Sequence, residues 1–294
     1  MPSAAGDAPT NAAQIEYWND HAGPNWVSFN AQLDGQIGAI GKIAMDRAAL
    51  KAGQGVLDIG CGCGDSTLEL ARRVGPEGSV RGIDISAPML ALAERRAALE
   101  PALRLEFKRL DAQTADFPAG AFAHAFSRFG VMFFDDPVAA FANLRKALKA
   151  DGRLTFICWR RLEENPWMAI PLGVASDFVA PPEAMPPGAP GPFALADGDR
   201  TKQILDAAGY RDIALEALDE PLYLSGPGTA AAAAAHATRM GPVARVLAES
   251  DEDTSRRVEA ALTETLAPYH DGTGVRMDSA CWIVSAQALK QHPE

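Results

Sequence analysis

The chain is predicted to be α/β: a doubly wound, mostly parallel seven-stranded sheet with a late helical insertion and an N-terminal helical lid. Three observations predict this. Short apolar runs alternate with helix-period segments between residues 55 and 157. The first run ends in alternating glycines, Gly60, Gly62 and Gly64. Beyond residue 160 the alternation gives way to a Pro-rich stretch and then to further helical and strand-like segments.

Each element has its own signal. Val56-Leu57-Asp58-Ile59 reads as a buried parallel strand. Ser66 is expected to cap the next helix, with Glu69 completing a capping box; Leu68, Leu70, Ala71 and Val74 supply its apolar face and Gly75-Pro76 stops it. Residues 80–85 read as the second strand, and Ser86 caps a helix with Pro88 in its first turn. Leu103, Leu105 and Phe107 alternate as the third strand, and residues 122–127 form the fourth. Asp136-Pro137 opens a helix whose apolar positions are Val138, Phe141, Leu144 and Leu148. Asp151-Gly152 turns the chain into a fifth strand at 154–157.

The remainder is coarser. Residues 160–200 read as a Pro-rich connection, 201–208 as a helix stopped by Gly209, and 213–224 as a strand. Residues 225–272 read as a helical insertion with a turn at Gly241-Pro242, and 275–287 as the last strand. The expected division is 1–40 for the lid and 41–294 for the sheet domain.

Composition narrows the function. In 294 residues, 27 Lys and Arg against 38 Asp and Glu leave a net charge of −11, which disfavours a nucleic-acid partner because basic side chains supply most of that affinity. No stretch approaches the ~18 apolar residues of a membrane span. The first residues carry neither a cationic start nor an apolar block, so no secretory leader is expected. Four cysteines in a chain this long do not make a disulfide framework, and a cytoplasmic location is the expectation. A homodimer is compatible with all of this.

Glycines between a buried strand and a helix let a ligand approach the backbone, and the helix N-terminus offers free N–H groups. The spacing is G-x-G-x-G, not the G-x-G-x-x-G of dinucleotide sites, and no Gly-Lys-Ser/Thr follows as in a P-loop. Asp84 lies twenty residues past Gly64 at the end of the second strand, placed to accept both hydroxyls of a ribose. NAD and adenosyl ligands share that sugar, so loop and acid alone leave the two open.

The ordered segments VLDIGCGCGDSTLELA, VRGIDISAPMLALAERR, RLDAQT and AFSRFGVMFF resemble the class I S-adenosylmethionine-dependent methyltransferases, within them the small-molecule group that includes the ubiquinone and menaquinone enzymes. The resemblance spans residues 40–160 well and the rest in outline. It implies a Rossmann-like fold, S-adenosylmethionine as cofactor and a small-molecule methyl acceptor. It also implies roles for particular residues. Gly60 and Gly62 would line the methionine part, Asp84 would bind the ribose, and Ile85 and Met89 would flank the adenine. Asp111 and Ala112 would meet the adenine edge, and the Ser127 backbone would lie near the methionine end. Trp26 and Tyr17-Trp18-Asn19 resemble a lid that closes over the cofactor. Taken without the resemblance, Asp111 reads equally as a helix or turn cap, and the lid aromatics as a staple between a terminal helix and the core.

Methyl transfer from a sulfonium needs alignment and exclusion of water more than a dedicated base. The candidates for further chemistry are Tyr17, if the lid closes, and Arg128, which would bind an acidic acceptor or else pair with Asp135, Asp136 or a main-chain carbonyl. His124 lies inside a strand and reads as a satisfied or surface histidine before a base. Phe129, Val131, Met132, Phe133 and Phe134 suggest an apolar acceptor pocket. No metal site is expected, because Cys61-x-Cys63 lacks two further ligands. An NAD-linked oxidoreductase and a non-catalytic adenosyl-binding protein are the competing readings.

Overall fold

A computed structural model describes residues 11–180, 186 and 188–289. Parts of the expected lid, Pro-rich connection and C-terminal tail lie outside those residues. The strands are β1 (Gly55–Ile59), β2 (Ser79–Asp84), β3 (Leu105–Arg109), β4 (Phe122–Arg128), β5 (Leu148–Trp159), β6 (Tyr210–Asp219), β7 (Leu222–Tyr223), β8 (Arg276–Met277) and β9 (Ala280–Ala288). Seven form one sheet in the order β3-β2-β1-β4-β5-β9-β6, with β7 and β8 paired separately. The first five are parallel and β9 is antiparallel to both its neighbours. β1 lies between β2 and β4, so the strand order reverses there, and in sheets of this kind ligands bind beyond the carboxyl ends at that reversal. That reversal positions the site.

The helices are α1 (Ala12–Glu16), α2 (Ala22–Ser28), α3 (Asn30–Ala48), α4 (Asp65–Val74), α5 (Ala87–Ala97), α6 (Pro137–Ala147), α7 (Pro166–Ser176), α8 (Gly198–Ala207), α9 (Ala230–Ala237), α10 (Gly241–Val246) and α11 (Glu252–Leu266). A π-helical turn, Tyr17–His21, joins α1 to α2. The main core packs Val56, Leu57 and Ile59 of β1 against Phe126 of β4, Phe156 of β5 and the inner faces of α4 and α6. A second core lies under the insertion, where Ala233, Ala234 and Ala237 of α9 meet Val258, Leu262 and Leu266 of α11. Trp167 of α7 packs against both.

Several local expectations change. Ser66 does not cap α4: Gly64, at φ 85°, occupies the cap, and the Ser66 hydroxyl turns inward to Asp58. Glu69 pairs instead with Arg73 one turn on. Ser66 already lies inside α4, and its hydroxyl donates to the buried Asp58 carboxylate in a charge-assisted bond instead of accepting an N–H of the first turn. The third strand begins at Leu105, and the strand expected at 213–224 splits into β6 and β7. The Pro-rich connection contains α7, which Pro166 starts and Pro171 does not break. α3 runs across the 40/41 division, and Ile40, Ala44 and Met45 belong to the main core. The insertion breaks twice, before Gly241 and again before Asp251, whose side chain caps α11 through the Thr254 N–H.

Candidate cofactor and active site

Beyond β1 the chain turns through Gly60 (φ 63°) and Gly62 (φ 55°), where any Cβ would be strained. A Cβ on Gly60 would lie 2.7 Å from the Gly130 Cα, and one on Gly62 would lie 2.8 Å from the Met89 methyl. The ends of β1 and β4 therefore touch backbone to backbone. Ser127 fastens this contact: its buried hydroxyl donates to the Ile59 carbonyl (2.8 Å) and accepts the Gly130 N–H (3.1 Å). Phe129, between them, holds φ 61° and stacks on Trp159 with ring centroids 4.2 Å apart. A bulky side chain in that conformation marks stored strain, which clusters at functional sites.

Asp84 closes the opposite wall. One carboxylate oxygen accepts the Gly62 N–H and the other the Ser86 N–H, each at 2.8 Å. Withdrawal from water pushes its pKa up, although these amide bonds pull the other way. Both oxygens keep further lone pairs for hydroxyl donors. The carbonyl of Ile85 takes Asn19 Nδ2 (3.1 Å) and Arg109 Nε (3.2 Å), and Met89 is buried under Gly62. Asp111 does cap a turn, accepting the Gln113 N–H at 2.9 Å, while its other oxygen takes Asn11 Nδ2 at 3.3 Å. Ala112 is buried and its carbonyl accepts from Asn143 (3.1 Å).

Two parts of the site escaped the sequence reading. Asp58, fully buried, accepts the Ser66 (2.7 Å) and Thr67 (2.6 Å) hydroxyls on one oxygen and has no partner on the other. Burial raises its pKa to about 6, against the lowering by those hydroxyls and by Arg128. Its signal was present as an acid inside an apolar strand. The second is a charged network. Arg128 donates to Asp34 (2.8 Å) and lies 3.9 Å from Asp65, which Arg96 (2.6 Å) and Asn30 (2.8 Å) also bind. Burial works against the ionised Asp65, but the Arg96 and Asn30 bonds and the Arg128 charge outweigh it and hold its pKa low. The partners expected for Arg128, Asp135 and Asp136, are not those it has. Asp34 lies on α3, ninety-four residues earlier, and no local pattern announces it.

The N-terminal helices are docked over this edge. Asn19 bridges the Ile85 carbonyl and the Ala87 N–H (2.9 Å), and Ser86 donates to the Trp18 carbonyl (2.7 Å). Trp18 meets Trp26 and Phe133 edge to face, at 5.8 and 5.0 Å. Tyr17 lies in the π-turn, 38% exposed, against Trp18 and His21. His124 is bonded to the Thr155 hydroxyl (3.1 Å), and burial with Arg153 lowers its pKa to about 3, so it stays neutral. All four thiols are buried and raised by burial, Cys63 to about 12, which leaves them unreactive.

A methyltransferase-domain family model matches residues 56–152. The nocamycin O-methyltransferase of Saccharothrix syringae is 32% identical over 205 residues, covering 64% of this chain and 69% of that one. The chain belongs to the class I S-adenosylmethionine-dependent methyltransferases. The demethylmenaquinone methyltransferase of Thermus thermophilus is 38% identical over 131 residues, 45% of this chain and 56% of that one. Among solved structures, the YcgJ protein of Bacillus subtilis shares the fold, with a TM-score of 0.57 at 15% identity over 85% of this chain and 98% of that one. The chain spans about half to two thirds of the length of the first curated relatives it matches. The family match covers the glycine turn, Asp84 and the β4 edge; the lid and the insertion lie outside it.

Proposed function

We propose that this methyltransferase-family chain moves a methyl group from S-adenosylmethionine to a small, apolar acceptor. The observation that carries this is Asp84, held by the Gly62 and Ser86 amides at the switch point, with lone pairs left for ribose hydroxyls. The residues present fit the cofactor. Gly60 and Gly62 leave the turn without side chains, so a ligand can reach its backbone, and Asp58, just before the turn, has a carboxylate oxygen with no hydrogen-bond partner. In this reading Gly60, Gly62 and the Ser127 backbone hold the methionine part, Ile85 and Met89 flank the adenine, and Asp111 and Ala112 meet its edge. Trp26 and Trp18 close over it. When bound, the cofactor supplies an electrophilic methyl on a positively charged sulfur. The chain's own task is to orient the acceptor and keep water out, which the docked lid and the Phe129, Trp159 and Trp167 rings suit.

Arg128 serves here as a latch between β4, α3 and α4, since Asp34 and Asp65 occupy it. The acidic balance and the small-molecule relatives support a metabolite over nucleic acid. No described helix is long and apolar enough to cross a membrane, and four free, buried cysteines support a reducing cytoplasm. Calorimetric titration with S-adenosylhomocysteine tests the reading. Asp84→Asn keeps one acceptor oxygen and should lose about 10- to 100-fold in affinity, as one charge-assisted bond of ~1.5–3 kcal/mol disappears. Affinity within threefold of the parent, or thermal stabilisation by NADH and not by S-adenosylhomocysteine, would reverse the assignment.

A further inference from the structure

His236 is the one buried histidine among the described residues whose ring nitrogens lack hydrogen-bond partners. It is 5% exposed, with Nδ1 sealed from solvent. His124 is bonded to Thr155, and the exposed His270 is bonded to the Gly228 carbonyl and the Gly272 N–H. The other seven residues of α9 are alanines, three of them buried in the second core. A buried polar ring with no partner destabilises the fold unless something else meets it.

Its location suggests what does. The ring meets Phe29 edge to face at 5.9 Å. Phe29 joins α2 to α3, and the next residue, Asn30, binds Asp65, the residue that follows the glycine turn. Gln36 of α3 accepts the Ser225 N–H (3.2 Å), and Gly35 lies against Gly226, so the insertion is pinned to α3 at a second place. His236 therefore faces the lid, one aromatic ring from the residues that brace the cofactor turn. Trp159, stacked on Phe129, meets Trp167 of α7 at a tilt, 4.9 Å away, and Trp167 packs against the second core under the insertion.

We propose that His236 accepts the hydroxyl proton of an aromatic acceptor, making this chain an oxygen methylator; the inference rests on the methyltransferase reading above. The atoms balance as follows: an oxygen lone pair forms the O–CH3 bond, the S–CH3 bond breaks with its pair left on sulfur, and the O–H proton passes to the imidazole, which becomes imidazolium. Burial lowers the imidazole pKa to about 4, so it is neutral and able to accept. An oxygen bearing both a proton and a new methyl is a much stronger acid than imidazolium, so that basicity is enough. The charged groups nearby are engaged elsewhere: Arg239 with Glu259 of α11, and Asp34 of α3 with Arg128. Burial is the cause of the shift at His236, with no charge effect from α10 or its Arg245.

Binding can be read without turnover. With S-adenosylhomocysteine present, 2-naphthol and 2-methoxynaphthalene are titrated into the parent and His236→Phe. The variant should weaken 2-naphthol about tenfold and leave 2-methoxynaphthalene and S-adenosylhomocysteine unchanged, while His236→Asn, which keeps an acceptor oxygen, should lose less than about threefold. Equal weakening of both probes, an unchanged 2-naphthol affinity, or no binding of 2-naphthol to the parent overturns the inference. Labelled-methyl transfer to 2-naphthylamine or 2-naphthalenethiol but not to 2-naphthol overturns it as well. A parent that fails to bind S-adenosylhomocysteine sinks the methyltransferase reading instead.

Discussion

Asp58→Asn isolates the energetic cost of a buried charge behind the cofactor turn. The carboxyl accepts two hydroxyls on one oxygen and nothing on the other, and burial lifts its pKa from an ordinary 3.8 to about 6. A carboxyl raised on folding contributes stability that is fully present below 3.8 and lost as pH rises through 6. At ~1.4 kcal/mol per tenfold change in proton affinity, the whole effect is about 3 kcal/mol. The asparagine amide can keep both hydroxyl bonds on its oxygen and carries no charge to desolvate, so its stability should lack this slope. Urea unfolding of both proteins between pH 4.5 and 7.5 measures it. Relative to the parent, the variant should gain roughly 2 kcal/mol across that range. A difference that stays flat with pH would refute the reasoning, because every other titrating group is shared.

Gly60→Ala should destabilise by about 2 kcal/mol or more and abolish S-adenosylhomocysteine binding. Its Cβ would meet the Gly130 backbone at 2.7 Å and the φ is unfavourable, and an unchanged urea midpoint would contradict this. Arg128→Met removes charged bonds from a side chain only 11% exposed, and should cost about 1.5–3 kcal/mol with faster proteolysis of residues 11–48. Asp34→Asn, at a site 44% exposed, should cost under about 1 kcal/mol, and the reverse ranking of the two would discard the latch.

Local chemistry made much of this protein readable from its amino acids. The parallel core announced itself because buried strands are short apolar runs, and the turn because glycine adopts the positive φ values at positions 60 and 62 without the strain a side chain brings. The place of Asp84 at the end of the second strand, against the glycine turn, was legible because it follows those glycines at a short, fixed distance; its role toward a ribose is the proposal above. The sequence does not show that Ser66 forgoes the cap, because the carboxylate that accepts its hydroxyl, Asp58, lies on the preceding strand and not in the helix. The partner of Arg128, the docking of Asn19 on Ile85 and the meeting of His236 with Phe29 had no signature at all.

The order of apolar runs and glycines alone determined the layered sheet, the edge where its strand order reverses and the place of Asp84 beside that edge. Only tertiary packing decided which charges pair, which polar atoms stay orphaned and what the insertion presents to the lid. The reason is range: helix and strand periodicities act within a few residues, whereas desolvation and ion pairing depend on neighbours delivered from distant parts of the chain.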